Sequence, residues 1–122
     1  MDARSLARIH ALGRVVVGGA LTVAPGRAGA GWFGPDARRP GTRVATRALG
    51  ARDVAIGLGT AYTAGQDDGA RPWLLAGVLA DATDLAATLR ARDDLSTAAV
   101  VGVGVIAGGS VLLGLWFQAA LD

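Results

Sequence analysis

Residues 95–121, LSTAAVVGVGVIAGGSVLLGLWFQAAL, form a run of 27 residues without a single charge. A helix needs roughly 20 apolar residues to cross a hydrocarbon core of about 30 Å, so this run is long enough with some tilt to spare. Its glycines would weaken a helix in water, but glycine is more frequent in membrane helices than in soluble ones. Burying such a run in a soluble protein requires a large domain around it, and the chain has only 122 residues. The run predicts a membrane-spanning helix over about 97–120.

Composition points the same way. Charged residues make up 18% of the chain, against roughly 25% in an average soluble domain. All 12 basic residues are Arg and all 10 acidic residues are Asp; Lys, Glu and Cys are absent. Lack of Cys excludes a disulfide scaffold and any thiolate metal site. The 52% hydrophobic content argues against disorder. A water-soluble helical domain would normally carry Lys and Glu on its outer faces. The net charge is only +2 and the arginines are scattered singly apart from Arg38-Arg39, so nucleic acid is not an expected partner. The lipid bilayer is.

Three further segments read as helices, over about 6–24, 44–65 and 72–91. The first carries His10 and Arg14, the second Arg47, Arg52 and Asp53, the third Asp81, Asp84 and Arg90. Pro72 suits a first helical turn, where its missing N–H is not needed, and Asp93 or Ser96 can cap the last helix. Residues 25–43, broken by Gly and Pro, read as a long first loop; residues 66–71, containing Asp67-Asp68-Gly69, and 92–95 read as short turns. Short turns imply antiparallel neighbours. The expected fold class is therefore all-α: a single integral membrane domain over 1–122, a four-helix transmembrane bundle of mainly up-down topology. An even number of crossings sets Asp2 and Asp122 on one face. Tyr62, Trp73, Trp116 and Phe117 then gather at one membrane surface and Trp32 and Phe33 at the other, as aromatic belts do. Arg27, Arg38, Arg39, Arg43, Arg90 and Arg92 favour a cytoplasmic location for the first and third connections, although Arg4 and Arg8 pull the other way. A competing reading takes Arg4, Arg8 and Arg14 as the basic start of a signal peptide, residues 15–24 as its apolar stretch and Ala28-Gly29-Ala30 as its cleavage site.

Ionisable groups at membrane depth are costly and normally face a bundle interior, paired with one another. The deep acids are Asp53, Asp81 and Asp84. The candidate partners and binding residues are Arg14, Arg47 and Arg52, with His10 nearby. Asp81, Asp84 and Thr88 lie at i, i+3 and i+7 on one helical face; Asp53, Thr60 and Thr63 share a side of the second helix. Two readings follow. In one, Asp–Arg pairs fix which helices pack together. In the other, Asp53, Asp81 and Asp84 are catalytic candidates, carboxylates positioned for acid–base chemistry on a lipophilic small molecule. Asp81-Ala-Thr-Asp84 also has the spacing of a Mg²⁺–diphosphate site, but only Asp53 stands opposite as further acid. One His and no Cys give no metal site, and no cofactor is expected. Gly104-x-x-x-Gly108, Ser110-x-x-x-Gly114 and the Gly57, Ala61, Gly65 row read as small-residue ridges for helix packing or for a homo-oligomer.

The stretch from Ala48 through Arg52-Asp53 to Gly59, followed by Asp81-Ala-Thr-Asp84-Leu85, resembles small four-helix membrane proteins of actinobacteria grouped under a domain of unknown function. The resemblance covers about residues 44–90. It implies a multi-pass protein of the bacterial plasma membrane with Arg52, Asp53, Asp81 and Asp84 as polar core, and implies no activity. The expected role is a small membrane bundle, a subunit or accessory protein; the alternative is a membrane-embedded enzyme of the isoprenoid or lipid cyclase or isomerase type.

Overall fold

The computed structural model describes residues 1–67 and 69–121; Asp68 and Asp122, on which the second turn and the shared face of the termini were expected to bear, lie outside them. The fold is all-helical, 88% helix, with no strand among the described residues.

Helix α1, Ala3–Val23, begins where the Asp2 carboxylate accepts a 2.7 Å bond from the Ser5 N–H, which satisfies one of the donors a helix start leaves free. It stops because Pro25 disfavours helical geometry at Ala24. The expected first loop is not a plain loop. It folds as two short helices, α2 (Pro25–Ala28) and α3 (Ala30–Phe33), and a 3-10 turn, Gly34–Arg38. Gly34 links α3 to that turn at φ 60°, a left-handed value that glycine adopts without strain.

Helix α4, Pro40–Thr63, starts four residues before the expected boundary, because Pro40 is pre-set for a first helical turn. Helix α5 is Arg71–Arg90, with Pro72 in its first turn. After a 3-10 turn at Arg92–Asp94 comes α6, Thr97–Leu121. Ser96, not Asp93, caps it: its Oγ accepts from the Ala99 N–H at 3.1 Å.

The packing order differs from the expected series of neighbours. The tight pairs are α1 with α4 and α5 with α6, both antiparallel. Glycine sets the first. A methyl on Gly18 would fall 2.6 Å from the Gly50 carbonyl oxygen, and one on Gly57 would fall 2.6 Å from that of Ala11. Backbones this close leave no room for a Cβ. In the second pair Gly114 lies against Val78 at similarly close range. The expected ridges are therefore used only in part: Gly57, Gly65 and Gly114 meet neighbours closely, Gly108 only just reaches Leu85, and Gly104 faces open space.

Burial is inverted relative to a water-soluble domain. The buried apolar residues are mostly alanines, with one compact cluster of Ala7, Ala64, Ala70, Leu74 and Phe117 at the end holding the N-terminus. Large apolar side chains lie outside: Val16, Leu79, Val105, Ile106 and Leu112 are each at least 70% exposed. Among the described residues two helices, Ala3–Val23 and Thr97–Leu121, are long and apolar enough to cross a membrane.

Candidate functional site

Three helices bring the charged residues of the interior together. Arg14 projects from the middle of α1, Arg52 and Asp53 from α4, Asp81 and Asp84 from successive turns of α5. They form one continuous chain of ion pairs. Arg14 donates through Nη1 to Asp53 Oδ1 at 3.0 Å and through Nη2 to Asp81 Oδ2. Arg52 grips Asp84 with both terminal nitrogens, at 3.0 and 2.6 Å, the parallel fork that guanidinium offers a carboxylate. The same Arg52 also donates to Asp53 Oδ1, at 3.1 Å from Nη2 and 3.3 Å from Nε. Asp53 is thus the hub: one of its oxygens receives both arginines, tying α1 to α4, and those same arginines hold the two α5 carboxylates.

All three carboxylates of the sequence reading are in the network, and each of the two acids in Asp81-Ala-Thr-Asp84 faces its own arginine. Arg14, Asp53, Asp81 and Asp84 have side chains 10–14% exposed, and Arg52 28%. Two expected partners are absent from it. Arg47 sits on an exposed part of α4 and donates to the Thr22 carbonyl at 2.8 Å. His10 packs on Phe117, ring centroids 5.8 Å apart, one turn below Arg14. The balanced set of three acids and three bases is therefore corrected to three carboxylates and two guanidiniums, a surplus of one negative charge among the described residues.

Two cavities adjoin the network. One of about 20 Å³ lies against Arg14 and Asp81 and is bounded by His10, Thr60 and Ser110; it has room for a single water-sized molecule. The other, of about 170 Å³, meets the carboxyl side of the network at Asp53, Asp81 and Asp84 and is otherwise walled by Val17, Leu21, Trp32, Val103, Ile106 and Ala107. Val17 and Ile106 are more than half exposed, so this cavity reaches the outer surface.

Trp32 is the residue that sequence reasoning missed here. It was read as part of an aromatic belt. Its Nε1 instead donates to Thr88 Oγ1 at 3.0 Å, and that hydroxyl donates to the Asp84 carbonyl at 2.7 Å. The bond draws α3 over the cavity. The only signal for it was that Thr88 continues the Asp81/Asp84 face.

Phe117 also departs from the belt, lying almost fully buried. Comparisons with protein-family models, with curated proteins and with solved structures found no match.

Proposed function

We propose that the chain is a small multi-pass membrane protein in which all four long helices cross the bilayer, and that it works as a helical membrane bundle, a subunit or accessory protein, fastened internally by its Asp/Arg network. The observation that carries this reading is the inversion of burial: ions inside, Val, Leu and Ile outside. Helices α4 and α5 fail a hydropathy criterion because of Arg47, Arg52, Asp53, Asp81 and Asp84. Four of those five face inward and meet one another, and Arg47, about two turns into α4, reaches along the surface to the Thr22 carbonyl near the end of α1, as a long arginine does toward an interface. The resemblance of residues 44–90 to actinobacterial four-helix membrane proteins supports a bacterial plasma membrane. Cleavage at residues 28–30 would remove Arg14 and leave Asp81 without its partner, so we take α1 as a helix of the mature bundle.

A second reading has one observation in its favour. The cavity beside Asp53, Asp81 and Asp84 opens toward what would be the lipid phase, and its apolar wall suits a lipophilic small molecule in reach of the carboxyl groups. At about 170 Å³ it is small beside the roughly 300–1,000 Å³ of typical ligand sites, which favours the bundle over a cyclase or isomerase acting on an isoprenoid.

The test exploits the absence of cysteine. Single Cys residues at Leu79, Val105 and Leu112 should resist a water-soluble maleimide when the protein is in vesicles, while Cys at Arg39 or Gly41 reacts from one side. A protein that is monodisperse in buffer without detergent, with all these positions reactive, overturns the reading.

A further inference from the structure

At the end of α1 and the start of α4 the chain leaves an open groove of about 480 Å³, lined by Val23, Ala24, Pro25 and three arginines, Arg27, Arg38 and Arg43. Gly26 also lines it. The Arg38 stem passes over it closely enough that a methyl on Gly26 would meet Arg38 Cγ at 3.8 Å.

Neighbouring arginines are engaged: Arg39 with the Asp36 carboxylate at 3.0 Å, Arg47 with the Thr22 carbonyl. Arg27, Arg38 and Arg43 have no carboxylate or hydrogen-bond partner among the described residues. Three like charges converging on one groove repel one another, and an anion seated among them relieves that repulsion. Its apolar lining is Val23, 79% exposed, with Ala24 and Pro25 beside it. The groove at the opposite end of the molecule, about 460 Å³, is lined by Asp2, Ala3, Arg4, Ala120 and Leu121, with one charge of each sign. Size is shared; the concentration of positive charge is not.

We propose that the Arg27/Arg38/Arg43 groove is a headgroup site for an anionic phospholipid, the guanidiniums holding its phosphate and Val23 lying along its acyl chains. The inference rests on the membrane reading, which sets the ends of α1 and α4 at headgroup depth. A phosphate group is the shared chemistry of a lipid and a soluble anion; the apolar side chains beside the arginines favour the lipid.

Purified full-length protein in neutral detergent, titrated with phosphatidylglycerol or phosphatidylcholine and read by native mass spectrometry, should bind phosphatidylglycerol at least roughly tenfold more tightly. Each basic residue near a membrane surface is worth about fivefold in affinity for anionic lipid, so Arg27→Gln/Arg38→Gln/Arg43→Gln should weaken binding roughly a hundredfold. Gly26→Leu keeps every charge and places an apolar side chain in the groove against the Arg38 stem; it should weaken the preference severalfold, and it keeps the test decisive if the triple variant does not fold. Arg90→Gln/Arg92→Gln, at the same end but outside the groove, should bind as wild type. Equal affinity for the two lipids, loss of binding in the Arg90/Arg92 variant as large as in the triple variant, or displacement of phosphatidylglycerol by millimolar inorganic phosphate each overturns the proposal. Failure of the chain to float with vesicles of either lipid overturns the membrane reading with it; flotation with both and no preference overturns the groove alone.

Discussion

Arg14→Met tests whether the network fastens the helices. The guanidinium and the Asp81 carboxyl are 10% and 11% exposed, and Asp81 has no other arginine, whereas Asp53 keeps Arg52. Removing one partner of a buried ion pair costs about 3–5 kcal/mol, because it strands a charge. Here the cost has a ceiling. The stranded Asp81 can take a proton, at about 1.4 kcal/mol per pH unit above the midpoint of an ordinary carboxyl, or about 4 kcal/mol at pH 7. The loss should therefore be about 3–4 kcal/mol at pH 7 and fall to about 1.5 kcal/mol at pH 5, where protonation is easier. Asp81→Asn alone should cost about 1–2 kcal/mol, since Arg14 retains Asp53. The double variant should cost only about 1–2 kcal/mol, far less than the sum of the singles, with a coupling of about 3–4 kcal/mol. Arg52→Met, whose guanidinium is more exposed, should cost less than Arg14→Met. The assay is unfolding in mixed micelles with rising dodecyl sulfate, followed by circular dichroism. If the two single losses add in the double variant, or if the Arg14→Met loss is the same at pH 5 and pH 7, the charges are not coupled and the reasoning fails.

Gly18→Val should cost at least about 3 kcal/mol or abolish the α1–α4 pair, since its Cβ has no room beside Gly50; Gly104→Ala, which meets nothing within 4 Å, should be neutral or stabilising by up to about 1 kcal/mol in the same unfolding assay. Trp32→Phe removes the donor to Thr88 and should cost about 1 kcal/mol while raising proteolysis of residues 25–39. The Asp2 carboxyl lies below the usual carboxylate range because it accepts the Ser5 N–H. A lowered folded value means the cap is fully present above the ordinary midpoint and lost as pH falls through the folded one, so amide exchange at Ser5 and Leu6 should quicken only in acid, and not in Asp2→Asn.

The helices were legible because apolar runs and prolines mark them, and the short turn at 92–95 announced the α5–α6 pair, but the α1–α4 pair was not legible. Which helices pack closest depends on where two backbones can touch, and Gly18 facing Gly50 is a coincidence of two distant glycines that no local pattern announces. The Gly and Pro content of the first connection reads as a loop, yet proline also starts helices: Pro25 starts the short α2 and Pro40 the long α4. Of the site, the acids were legible because a carboxylate at that depth needs a partner. The arginines were over-counted. Arg47 and Arg52 are five residues apart, about 140° around a helix, so only one of them can share the face that meets α5. Helical geometry alone could have removed Arg47.

If α4 and α5 cross the bilayer as proposed, the same geometry explains why a hydropathy average undervalues them. An average charges each ion as if it were exchanged from water to hydrocarbon alone. Here two guanidiniums and three carboxylates are exchanged together, already bonded to one another, and the network carries the charge of one carboxylate rather than of five ions. That surplus is not spread evenly. Arg14 and Arg52 cover the α1–α4 side of the network, and the 170 Å³ cavity meets the carboxyl side, beneath Trp32 and between Val17 and Ile106. The cavity beneath Trp32 thus arrives at the negative face of the network, so a visitor there meets carboxylate before it meets guanidinium.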